Sequence, residues 1–103
     1  MNRLDKLLAL RDSQPDDPEI HYMIALERAK EGEGDQAIAG FDQCLRLDPE
    51  FHYAYYHKAV TLESLGRREE ARDVAEAGAE RAREARAGKA LSELTTLYES
   101  LRA

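Results

Sequence analysis

The chain has 103 residues, 43% apolar and 35% charged, with 21 acids against 15 bases and a net charge of −6. That length supports one domain with a modest core, burying about 65% of the surface its unfolded form exposes, and the composition suits a soluble helical protein rather than a disordered one. The acidic balance argues against nucleic acid, which needs a clustered basic face; Arg81, Arg83 and Arg86 do cluster, but Glu80 and Glu84 are interleaved as in a charge-paired helix surface.

In chain order, residues 3 to 13 read as a short helix with Leu4, Leu7, Leu8 and Arg11 at helical spacing and Leu10 flanking the stripe. The run Ser13-Gln14-Pro15-Asp16-Asp17 ends it. Asp17 is a good N-cap and Pro18 suits a first helical position, so a second helix runs to about Lys30, burying Ile20, Ile24 and Ala25. Gly32 and Gly34 stop it, and Asp35 is placed to cap a third helix over about 35 to 47, whose broad face carries Ala37, Ile38, Phe41, Cys44, Leu45 and Leu47. A fourth helix spans about Phe51 to Leu65 and is rich in aromatics, and Gly66 stops it. From Arg67 or Arg68 a fifth helix lines up Ala71, Val74, Ala75, Gly78, Ala79 and Ala82, with no closing proline before Ala87. Gly88 is the break signal ahead of Leu91, Leu94, Tyr98 and Leu101. An isolated glycine costs a helix only about 1 kcal/mol, so 67 to 101 could be one long helix. The expected form is a folded-back cap whose apolar stripe covers the preceding helices.

The skeleton of residues 18 to 49 returns 34 residues later. Pro15 meets Pro49, Tyr22 meets Tyr56, Ala25 meets Ala59, Gly32 meets Gly66 and Ala37 meets Ala71. A second similarity, Asp17-Pro18-Glu19 against Asp48-Pro49-Glu50, runs at a spacing of 31. Helix starts favour Asp and Pro, so local capping alone accounts for it. Turn formers and small residues at a fixed period point to stacked helix–turn–helix units.

These residues resemble the tetratricopeptide repeat, a 34-residue pair of antiparallel helices. The resemblance puts a small residue within the first helix (Ala25, Ala59), a glycine at its end (Gly32, Gly66) and an alanine opening the second helix (Ala37, Ala71). Phe41, Cys44 and the closing prolines Pro15 and Pro49 complete the pattern in the first unit. The second unit departs from it at Ala75, Gly78 and Arg83. The resemblance implies an all-α fold, a TPR-like α-solenoid of about two repeats. It divides one domain, 1–103, into a capping helix over 1–17, repeats over 18–51 and 52–85, and a second capping helix over 86–103.

Motifs for chemistry are sparse. His52 and His57 lie about 140° apart around a helix, too far to share a metal from one face, and paired Cys and His at zinc spacing are missing. Cys44 sits beside Phe41 and Leu45 and reads as an inert core thiol. Gly32-Glu33-Gly34 lacks the lysine and strand of a phosphate loop. No serine has nucleophile-elbow flanks, and no carboxylate pair stands out. No enzyme, metal or cofactor is expected, and one cysteine with no disulfide fits a reducing, cytoplasmic setting. No apolar run nears the ~20 residues of a membrane helix, and the N-terminal stretch does not read as a signal peptide.

The family resemblance implies that the first helix of each repeat lines a peptide-binding groove. Its residues here are Tyr22, Leu26 and Ala29, then Tyr53, Tyr56, Val60 and Glu63, with His57 at the margin. Tyr55 is expected to fill core space instead. The family's carboxylate clamp of Lys, Asn and Arg would fall on Tyr22, Leu26, Tyr53, Tyr56 and His57, none of which is such a residue. The expected function is therefore a protein-interaction scaffold taking an apolar or helical segment of a partner. The alternative is a self-assembling module that pairs through the array end or the C-terminal helix.

Overall fold

The computed structural model describes residues 1–103 as six helices: α1 (Arg3–Ser13), α2 (Pro18–Lys30), α3 (Gly34–Leu47), α4 (His52–Ser64), α5 (Arg68–Glu84) and α6 (Gly88–Arg102). The 34-residue period is written into their ends. α2 and α4 begin 34 residues apart and end 34 apart, and so do the starts of α3 and α5. The 31-residue similarity has no structural counterpart: Asp17 caps the start of α2, whereas Asp48 is the C-cap of α3.

Two compact units divide the chain, Met1–Pro49 and Glu50–Ala103. In the first, α1 packs on α2 through a cluster of Leu7, Ile20 and Ile24, with Leu4, Leu8 and Met23 against it. The cap of α1 is a reciprocal box, in which the Asp5 amide donates to Asn2 Oδ1 at 2.8 Å. Asp17 caps α2 by accepting from the Glu19 amide at 2.9 Å, and Pro18 opens that helix. α2 and α3 approach closely at Gly40, where a Cβ would lie 2.9 Å from the Ala25 Cβ. Ala25, Ala37, Phe41 and Cys44 are fully buried.

In the second unit α4, α5 and α6 form two successive antiparallel hairpins. Ala71, Ala75, Gly78, Ala79 and Ala82 make the buried stripe of α5. A Cβ on Gly78 would meet the Tyr55 Cβ at 2.6 Å and Leu94 Cδ2 at 3.1 Å, so only glycine lets both neighbours in. α6 folds back and buries Ala90, Leu94 and Leu101. Leu94 and Leu101 are thus buried as expected, Leu91 and Tyr98 are half-buried, and Ala90 joins the buried face. The Arg68 guanidinium donates to the carbonyls of Ser100 and Ala103 at 2.8 and 3.0 Å and satisfies the end of α6.

Three turns share one geometry. Gly32 (φ 78°), Gly66 (φ 79°) and Arg86 (φ 56°) are left-handed. After each, the next amide reaches back five residues: Glu33 to Arg28, Arg67 to Leu62 and Ala87 to Ala82, all at 2.8–2.9 Å. This is the Schellman closure of a helix. Two sequence expectations are corrected here. Gly34 and Gly88 do not break helices but begin α3 and α6, because the left-handed residue alone makes the turn. Asp35 does not cap α3: helix starts at Gly34 with Glu33 as N-cap, so Asp35 falls in the first turn. There its charge faces the positive end of the helix dipole.

Candidate functional site

The aromatic face of α4 repeats every turn. Tyr53, Tyr56, His57 and Val60 follow i, i+3, i+4, i+7 spacing, which sets them on one side of the helix. Tyr53, Tyr56 and His57 are half-buried and Val60 is 39% exposed. α6 lies alongside. The Tyr53 hydroxyl donates to Glu93 Oε1 at 3.3 Å and ties the two helices. Below that bond a cleft of about 310 Å³ opens, lined by Tyr56, Ser92, Glu93, Thr96, Leu97 and Ser100. Tyr56 and Leu97 supply its apolar surface, and Ser92, Thr96 and Ser100 form a hydroxyl row at one-turn spacing on α6. Ser100 turns its hydroxyl to the Leu97 carbonyl at 2.7 Å.

The sequence missed the α6 half of this cleft. The signal was present in the i, i+4, i+8 hydroxyls, but the face of α6 that meets α4 is set by the Arg86 turn, which no glycine announces.

Tyr55 lies against Gly78, and all three tyrosines of α4, Tyr53, Tyr55 and Tyr56, pack in part on the cluster of Ala79, Ala82, Ala90 and Leu94. His57 stacks edge-on to Tyr56, with ring centroids 5.3 Å apart, and burial lowers its pKa from the ordinary 6.5. In the first unit Tyr22 is half-buried and its ring lies 6.0 Å from that of Phe41, so part of it serves the core. Leu26, on the same face of α2, is also half-buried.

The groups that could carry reaction chemistry are poorly placed for it. The Cys44 thiol is fully buried. Burial, reinforced by the nearby Asp48 charge, pushes its pKa up to about 12, so it stays protonated and unreactive. No cluster of three or more His, Cys, Asp or Glu is drawn together as a metal site. No helix is long and apolar enough to cross a membrane.

A family model described as "Tetratricopeptide repeat" matches residues 28–94. A solved tetratricopeptide repeat domain protein from Salinibacter ruber is 34% identical, covering 84% of this chain and 88% of its own, with a TM-score of 0.77. The TPR2B domain of yeast Sti1, solved in complex with pHsp70, superposes with a TM-score of 0.89 over 96% of this chain and 79% of its own, at 22% identity. SycD, a type III secretion translocator chaperone of Yersinia enterocolitica, gives 0.86 over 96% and 69% at 17% identity. The last two likenesses are of fold.

Proposed function

The chain belongs to the tetratricopeptide repeat family, and from that premise we propose that it is a non-enzymatic interaction module that seats a segment of a partner protein in the α4–α6 cleft. The observation that carries this is the pairing of Tyr56 and Leu97 with a row of hydroxyls in one cleft. Tyrosines bring a large apolar body with a polar tip, and the hydroxyls can serve the backbone or polar side chains of a ligand. The segment that suits such a surface is amphipathic, with an apolar side chain entering between Tyr56 and Leu97. The corresponding face of α2, with Tyr22 and Leu26, offers the same kind of surface in the other unit.

Support also comes from the relatives, since the Sti1 domain is seen with pHsp70 and SycD is a chaperone of translocators. The carboxylate clamp is not carried over, because Tyr22, Leu26, Tyr53, Tyr56 and His57 stand at its positions.

Affinity capture with the purified chain tests the reading, repeated with Tyr56→Ala and with Leu97→Lys. Both variants should keep their helical circular dichroism and lose the captured partner. If folded variants hold the same partners as the parent chain, the cleft assignment fails. A second reading, self-assembly through α6, is supported by the left-handed Arg86 in the turn that folds α6 back. Straightening that turn would free α6 to pair with another copy. Sedimentation velocity at rising concentration separates the two readings, since a chain that stays monomeric throughout excludes the second.

A further inference from the structure

An opening in the first unit lies among α1, α2 and α3 and has a volume of about 400 Å³. Its lining is chemically unlike the unit around it. Residues 1–49 carry eleven carboxylates against six lysines and arginines, yet no carboxylate lines this cleft, and two arginines, Arg11 and Arg28, do.

The two glutamines of its wall are oriented by arginines. Gln36 Oε1 accepts from Arg28 Nη1 at 2.5 Å, and Gln43 Oε1 accepts from Arg46 Nε and Nη2 at 2.9 and 2.7 Å. An arginine has no acceptor, so each amide must present its oxygen to it, which leaves the NH2 groups as the remaining donors. Arg28 has one further loose contact, to Glu33 at 3.4 Å, and Arg11 one to Asp12 at 3.7 Å. His21 bounds the cleft with its Nε2–H committed to the Pro15 carbonyl at 2.7 Å. Two guanidiniums and two amide NH2 groups thus surround a floor that includes Ile24 and Gly40.

From this we propose that the α1–α2–α3 cleft is an oxyanion-binding site, recognising a carboxylate or phosphate group held between Arg11 and Arg28 and hydrogen-bonded by Gln36 and Gln43. Charge-assisted bonds from a planar guanidinium fork are the strong and geometrically selective ones. The site is independent of the α4–α6 cleft and stands or falls without it. The anion has two sources, a free oxyanion or an acidic side chain on a peptide.

Amide chemical shifts of the isotope-labelled full chain, titrated at constant ionic strength with inorganic phosphate and separately with a hexaglutamate peptide, test it. At least one probe should shift the Arg11, Arg28, Gly40 and Gln43 resonances together, and should do so in preference to those near Arg3, Arg72 or Arg83. A response to phosphate alone assigns the site to free anions, and a response to the peptide identifies acidic side chains. Arg11→Gln should weaken either probe about tenfold, the loss expected of one charge-assisted bond. Ala39→Glu, which adds a carboxylate at an exposed lining position without removing any of these bonds, should abolish binding while helicity is kept. No shift with either probe, shifts spread evenly over all basic residues, or unchanged binding in Ala39→Glu would overturn the proposal.

Discussion

The two units solve one packing problem with opposite assignments of bulk. In the first, the second helix carries the large buried ring: Phe41 of α3 is fully buried beside the half-buried Tyr22, while the small Ala25 of α2 meets α3 at Gly40. In the second, the position 34 residues on is Ala75, and α5 is small along its whole buried face. The volume moves to the partners, Tyr55 of α4 and Leu94 of α6, which meet at Gly78. A helix pair needs complementary large and small residues at its contact, and either helix can supply either size. What differs is the consequence of error. A ring missing from the first unit leaves a hole, whereas a methyl added at Gly78 in the second meets two side chains at once, Tyr55 and Leu94, where one at Gly40 meets that of Ala25 alone.

Mutation can separate these cases. Phe41→Ala should have the largest effect, about 3–5 kcal/mol of lost stability from transfer and cavity terms, read by urea unfolding and by faster amide exchange in α2 and α3. Gly78→Ala should cost about 1–3 kcal/mol through overpacking against Tyr55 and Leu94. The control is Ala75→Gly on the same helix, where only helix propensity and a methyl are lost. If Gly78→Ala is neutral, the close approach of α5 to α4 is wrong. Arg86→Gly should stabilise by about 1 kcal/mol, because a side chain in the left-handed region costs about that much and glycine does not pay it; a lower melting temperature would contradict the turn geometry.

The smallest expected effect is a pH dependence through His57. Its folded pKa lies below the ordinary 6.5 because burial disfavours the charged ring. The unfolded chain therefore takes up the proton first as pH falls, and the native state loses stability. This contribution is whole above the unfolded pKa and declines as the pH drops from there toward the folded value. His57→Gln should flatten the melting temperature against pH between neutral and mildly acid buffer, and an unchanged slope would place the titration elsewhere.

Much of this fold was legible because its instructions are local. Asp17 and Pro18 start α2, Gly32 and Gly66 carry the turns, and the spacing of small residues marks the contact faces. These depend on few neighbours, so they survive in the residue pattern. Asp35 and Gly88 misled because capping residues and glycines recur at helix starts as well as stops, and only the backbone distinguishes them. The turn at Arg86 carried no local signal, since its conformation is imposed by α6 packing on the stripe of α5. Of the aromatic face, the residues on α4 could be read from helical spacing and family resemblance. Serine, threonine and Leu97 on α6 could not, since their place beside Tyr56 follows from that unannounced turn. The Arg28 and Gln36 bond was equally hidden, being a meeting of side chains from two helices eight residues apart.

α5 runs 17 residues where α3 runs 14, and the link to α6 is correspondingly short. Counting 34 onward from His52, the first residue of α4, arrives at Arg86, yet α6 opens at Gly88. The sixth helix is thus in the family's place but two steps out of its metre. Held to a strict period, that helix would be rotated by roughly half a revolution at about 100° per residue, turning Leu94 toward water and the hydroxyls of Ser92, Thr96 and Ser100 into the core.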